Sequence, residues 1–151
     1  MKLFQSKFFV KATLASVLAF HHDTSALAQL TPFPMRVELH QFDPLSEGSL
    51  ALFTLRLGPI RLPWTARHEQ VGKQGFTDVQ IDGPLAFWRH EHRFTETIHG
   101  TCVADTIQYQ LHPGSRGFMT SLFFNPIMLR FLFFYRSLAT RRGVRSYQNA
   151  S

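Results

Sequence analysis

The sequence predicts an α+β fold, an antiparallel sheet followed by one long C-terminal helix. Three observations carry this. Gly- and Pro-containing turn signals separate runs with period-two alternation at roughly ten-residue spacing, the pattern of a meander. The stretch Phe76 to Phe94, FTDVQIDGPLAFWRHEHRF, reads as two strands joined at Gly83-Pro84, and the remaining segments are placed to pair with it or cover it. From Phe118 to about Arg142 the chain reads as a helix, with Pro126 inside it predicting a kink or break near Asn125.

Strand one is expected over Leu3 to Val10. Thr13 is placed to cap a short helix through Phe20, and Asp23, with Thr24 and Ser25, a second through Leu30, ended by Pro32 and Pro34. Further strands follow at Met35–Phe42, Leu50–Leu57 and Arg61–Val71, the last with Leu62, Trp64, Ala66 and His68 on one face. In the central pair, Phe76, Asp78 and Gln80 share a face. After the turn, Trp88, His90, His92 and Phe94 share one face, while Arg89, Glu91 and Arg93 form a solvated row on the other. Gly100 opens the last strand, with Val103, Asp105, Ile107 and Tyr109 together, and His112 to Gly117 reads as a loop. One domain is expected over residues 1–142, with 143–151 a short polar tail.

Residues 1–29 carry some features of a secretory leader: Lys2, Lys7 and Lys11 precede the uncharged run Ala12–Phe20, and Ala26-Leu27-Ala28 supplies small residues. The polar His21-His22-Asp23 directly after the run argues against it, and the run is too short to span a bilayer.

The pattern FxDxQxxGPxxxWxHxHxF, carried by Phe76, Asp78, Gln80, Gly83, Pro84, Trp88, His90, His92 and Phe94, continues into GTxxxDxIxY at Gly100, Thr101, Asp105, Ile107 and Tyr109. This resembles a subgroup of the SRPBCC (START-like) superfamily, related to polyketide cyclase/dehydrase and lipid-transport proteins. Phe20-His21 through Leu30-Thr31-Pro32 resembles the first helical segment of that family. The resemblance implies a helix-grip fold: a curved antiparallel sheet wrapped around a long C-terminal helix, two short helices after strand one, and a hydrophobic cavity between sheet and helix. It carries fold better than function.

The 151 residues include sixteen Phe, a large aromatic surface to bury or to offer to a ligand. The lone Cys102 excludes an internal disulfide, reads as a small packing residue and points to a reducing, cytoplasmic setting. The net charge of +6 is uneven. No acidic residue follows Asp105, and the excess is Arg116, Arg130, Arg136, Arg141, Arg142 and Arg145. Such a basic end suits an anionic membrane surface, contacted peripherally, or is a solvated helix end; nucleic acid is disfavoured. From Ile127 to Tyr135 only Arg130 is polar, so apolar residues surround the helix axis and leave aromatics for a second helix segment, a membrane or another subunit.

Candidate chemistry centres on His90 and His92, with Asp78 and Asp105 as partner carboxylates. Zinc needs three or four converging ligands, and no second His/Cys cluster stands at ligand spacing, so neither metal nor cofactor is expected. These groups form either a structural polar ladder or the polar end of an apolar cavity. As an enzyme of cyclase or dehydratase type, the protein would use His90 or His92 to move a proton, oriented by Asp78 or Asp105. The expected ligand-binding set is Phe53, Trp64, Phe76, Gln80, Trp88, His90, His92, Tyr109, Phe131 and Tyr135; the aromatics among them serve equally as core. No phosphate-binding glycine loop, nucleophile elbow or paired catalytic carboxylate motif is present. The favoured function is non-catalytic binding of a hydrophobic small molecule of the lipid, isoprenoid or quinone class, ahead of a cyclase and of a protein-interaction module.

Overall fold

The computed structural model describes residues 1–148. Seven strands form one antiparallel sheet: β1 Lys2–Val10, β2 Arg36–Phe42, β3 Leu50–Leu57, β4 Ile60–Gly72, β5 Gly75–Asp82, β6 Phe87–Thr97 and β7 Gly100–Gln110. Their order is β1-β7-β6-β5-β4-β3-β2, so consecutive strands pair from β2 to β7 and β1 closes on β7. The helices α1 Leu14–His22 and α2 Ala26–Gln29 carry the chain from one sheet edge to the other. Thr13 caps α1 by accepting from the Ser16 N–H at 3.2 Å. Asp23 Oδ1 accepts from the Ser25 N–H at 2.7 Å and turns the chain into α2.

The C-terminal helical region differs in detail from the expected single helix. The presumed loop at 112–117 already turns helical at Gly114, giving α3 Gly114–Ser121. The chain folds tightly there because Gly117 has no side chain: a Cβ would lie 1.7 Å from the His112 carbonyl oxygen. The discontinuity near Asn125 is a full break. The Asn125 side chain accepts from the N–H groups of Ile127 and Met128, and Pro126 occupies the first position of α4 Pro126–Gly143, where its missing donor costs nothing.

Two apolar clusters fill the concave side. One gathers Val17 and Phe20 of α1 with Phe76, Phe94, Val103 and Val144. The other gathers Leu129 and Phe133 of α4 with Trp64, Trp88, Ile107 and Tyr109. The buried stripe of α4 is Leu129, Phe133, Ser137 and Thr140, at helical spacing. By length and apolarity the helical region 114–148 meets the requirement for a membrane span, but this stripe is committed to the sheet.

Residues 143–148, read from sequence as part of a polar tail, fold back on the domain. Val144 is buried, α5 Arg145–Gln148 follows, and Tyr147 Oη donates to Asp23 Oδ2 at 2.7 Å. Val144, the Tyr147 ring beside Phe20 and the bonds of Tyr147 and Gln148 tie the segment down, and a mostly polar composition hid it. Residues 149–151 of that tail lie outside the described residues.

Candidate functional site

Neighbouring strands bring their inward polar positions to one place. In register, His68 of β4 faces Asp78 of β5, Asp78 faces His90 of β6, and His92 of β6 faces Asp105 of β7. Period-two alternation points all of these to the concave side, where His90 and His92 are only 3% and 8% exposed.

The contacts run across these rows. Asp105 Oδ1 accepts from His90 Nε2 at 2.9 Å and lies 3.0 Å from His92 Nδ1. His92 Nε2 donates to Asp78 Oδ2 at 3.1 Å. With a carboxylate at each nitrogen, His92 is an imidazolium. Burial alone pushes its pKa down, but the bonds to Asp105 and Asp78 outweigh that and raise it to about 9. His90 goes the other way: burial, with the His92 charge beside it, lowers it to about 4. Burial also disfavours the charged form of Asp105, yet the hydrogen bonds from His90 and His92 win and hold it below the usual carboxylate range. Asp78 is lowered on the same balance, burial opposed by His92.

A cavity of about 140 Å³ opens beside this cluster. Its apolar wall includes Phe53, Leu55, Trp64, Trp88, Phe124 and Leu132; its polar wall is His21, Asp23, His68, Asp78, His90, His92 and Arg136. The aromatic wall is tightly built: Phe53 stacks on Trp64 with centroids 5.9 Å apart, Trp64 meets Trp88 edge-on at 5.4 Å, and Phe124 lies within 6 Å of both indoles.

Of the sequence-predicted residues, the structure brings Phe53, Trp64, Phe76, Asp78, Trp88, His90 and His92 to this cavity. Asp105 stands behind the histidines. Gln80, Tyr109, Phe131 and Tyr135 do not line it. Gln80 instead clamps the backbone of Leu85, donating to its carbonyl at 2.8 Å and accepting from its N–H at 3.3 Å. Tyr109 is buried in the core beside Trp88. Phe131 is 56% exposed, on the outer side of α4. The helix is apolar all round, so its sequence alone did not tell which face turns inward.

Sequence reasoning missed four polar wall residues; Asp23 was read only as a helix cap, and the other three are His21, His68 and Arg136. His21 sits at the end of α1; burial lowers it to about 4, while its Nδ1 bonds the Val17 carbonyl at 2.8 Å. His68 places Nδ1 2.9 Å from Ser49 Oγ and Nε2 3.4 Å from Asp78 Oδ1. Arg136 projects from α4, its Cζ 5.1 Å from the Phe133 ring centroid, and burial lowers its pKa from the usual arginine value. His68 shares the inward alternation of Trp64 and Ala66, a signal that was available. Nothing marked Arg136 apart from the other five C-terminal arginines.

Asp78, His90 and His92 offer potential ligand atoms within 4.8 Å of one another. The donor set fits a metal poorly. Both nitrogens of His92 are committed to carboxylates, and a metal would have to displace its proton and enter beside Arg136. With Asp78 and Asp105 ionised and His92 and Arg136 charged, the cluster is electrically balanced as it stands.

No family model and no curated protein matches the sequence. Solved structures do. Protein CV1439 from Chromobacterium violaceum aligns with TM-score 0.71 at 10% identity, over 92% of this chain and 96% of its own. The di-domain ARO/CYC StfQ from the steffimycin biosynthetic pathway aligns with TM-score 0.67 at 11% identity, over 98% of this chain and 50% of its own. Ara h 8.0201 aligns with TM-score 0.62 at 9% identity, over 99% of both chains. At these identities the likeness is one of architecture. The chain shares their helix-grip fold, with its seven-stranded antiparallel sheet closed by a broken C-terminal helix.

Proposed function

We propose that the protein binds a hydrophobic small molecule in the cavity between the sheet and α4 and does not transform it. The observation that carries this is the cavity itself, walled by Trp64, Trp88, Phe124 and Leu132 and carrying one cluster of polar groups, His68, Asp78, His90, His92 and Arg136. Its volume sets the scale. About 140 Å³ is near the ~150 Å³ apolar cavity that accepts benzene and below the roughly 300–1,000 Å³ of drug-sized pockets. A ring-sized body, such as the head of a quinone or one end of an isoprenoid, fits this space; a long lipid chain would extend beyond it. Organic extraction of the purified protein followed by mass spectrometry tests this reading. A co-purifying or exchangeable apolar compound supports it, and a protein that neither carries nor takes up any such compound overturns it.

The same reading includes a cytoplasmic protein that touches an anionic membrane to load or release its ligand. What supports this is the outer side of α3 and α4. Phe118, Leu122, Ile127, Phe131 and Phe134 are exposed there, on the same helical region as Arg116, Arg130, Arg141 and Arg142, with no acidic residue after Asp105. Exposed aromatics alongside arginines suit an interface of apolar and anionic lipid groups. Vesicle co-sedimentation tests it: binding should rise with anionic lipid and fall with salt.

A second reading, proton transfer on a cyclase- or dehydratase-type substrate, draws support from the placement of His90 on the cavity wall in neutral form. His92 suits that work less, because both its nitrogens face carboxylates. Replacing both histidines without loss of turnover on an identified substrate would dismiss it.

A further inference from the structure

Two buried polar side-chain atoms on the cavity wall have no hydrogen-bond partner: the donor Arg136 Nε and the acceptor Asp78 Oδ1. Native interiors rarely leave such atoms unmatched, and each needs a complementary group from somewhere. Asp78 Oδ1 is 3.4 Å from His68 Nε2 without forming a hydrogen bond. Arg136 is drawn electrostatically towards Asp105 and Asp78, but the bonded oxygens of both carboxylates are already taken up by His90 and His92. The missing partner is therefore a group with one acceptor and one donor. It must also be neutral overall, because two carboxylates, one imidazolium and one guanidinium already balance.

We propose that the ligand is an apolar carboxylic acid taken up together with its proton, the acid carbonyl accepting from Arg136 Nε–H and the acid O–H donating to Asp78 Oδ1. This rests on the hydrophobic-ligand reading and assigns its polar end. The apolar body lies against Trp64, Trp88 and Phe124, and the carboxyl group turns toward α4 and β5. Binding from neutral solution then takes one proton per ligand, since the free acid is an anion there. The titratable and charged groups around Asp78 are His68 on β4, His90 and His92 on β6, Asp105 on β7, Arg136 on α4 and His21 on α1.

The test uses the full chain and two probes with the same apolar body, 4-ethylbenzoate and its methyl ester, which lacks the donor and is larger by one methyl group. Quenching of Trp64 and Trp88 fluorescence reports occupancy of the cavity. The wild type should bind the acid at least tenfold more tightly than the ester at pH 6.5, and the acid affinity should fall about tenfold from pH 7 to pH 8, the signature of one linked proton. Arg136→Met should abolish the preference while still binding the ester; if that variant melts below the assay temperature, Arg136→Lys, which keeps the charge but lacks Nε–H, should lose the preference as well. Asp78→Asn offers an N–H at the orphan position, so it should bind the acid as its anion with the pH slope gone. An ester that binds as well as the acid, a preference that survives at Arg136, or a pH-independent wild type overturns the proposal and leaves the hydrophobic-ligand reading standing. If neither probe quenches the wild type, the acid proposal falls, and the hydrophobic-ligand reading is decided separately by the extraction experiment.

Discussion

His92 and Asp105 are direct cross-strand partners on β6 and β7, and the imidazole Nδ1 lies 3.0 Å from the carboxylate Oδ1 inside the sheet's concave face. A charged pair in such a place is tolerated only because each member has further partners: Asp78 for the imidazolium, His90 for the carboxylate. The first prediction follows from that dependence.

Stability should peak near pH 6.5 and fall on both sides. His92 is raised to about 9 in the fold, so its contribution is fully present below its ordinary value of 6.5 and is lost as pH climbs from there through about 9. His90 is lowered to about 4, so as pH falls from 6.5 to 4 the unfolded chain binds a proton that the fold refuses, and stability drops again. Below that, protonation of Asp105 adds to the loss, because its folded value is depressed. Each limb should amount to a few kcal/mol. Urea midpoints measured across the pH range check this, and His92→Asn should flatten the alkaline limb; a wild-type profile level from pH 6.5 to 9 contradicts it.

Two adjacent phenylalanines on α4 should behave as opposites. Phe133 is 2% exposed, with its ring 5.2 Å from that of Phe4 and 5.4 Å from that of His90. Phe133→Ala should cost about 3–5 kcal/mol, as large-to-small core substitutions do. Phe134 is 65% exposed. Phe134→Ala should change stability by less than about 0.5 kcal/mol. Chemical denaturation of the two variants side by side settles the comparison.

The proposed membrane contact makes a separate demand on the outer residues. A Phe131→Ser, Phe134→Ser double variant should keep the wild-type melting temperature and ligand uptake but lose several-fold in binding to anionic vesicles. Unchanged vesicle binding would remove this surface from the account.

The start of β5, where it pairs with β6, is the last case. Gly75 has φ +142°, and a Cβ on it would lie 1.8 Å from the His92 carbonyl oxygen. Gly75→Ala should therefore cost more than about 2 kcal/mol. Because the strand that must give way carries His92, the midpoint of the alkaline limb should move as well, which a purely remote destabilisation would not cause.

The strands were legible because alternation survives in each of them. Trp88, His90, His92 and Phe94 fall on one face in the sequence and on the buried face in the structure. The break at Asn125 was legible because Pro126 cannot sit inside an intact helix. What stayed hidden depended on distance in space. Asp105 joins the histidines only through strand pairing, so sequence could nominate it but not connect it. Phe131 and Phe133 are indistinguishable in composition, and only docking against Phe4 of β1 and His90 of β6 decides between them. Arg136 looked like one more surface arginine until α4 was seen to turn it inward.

The bond from Tyr147 to Asp23 reaches further than its position suggests. Asp23 and its neighbour His21 belong to the cavity wall, and Val144 is wedged beneath the helix that presents them. The closing turn therefore works as a latch on that cavity. Trimming the protein after residue 142 for convenience would loosen that wall, and a ligand screen run on the shortened form would sample a chamber of altered shape.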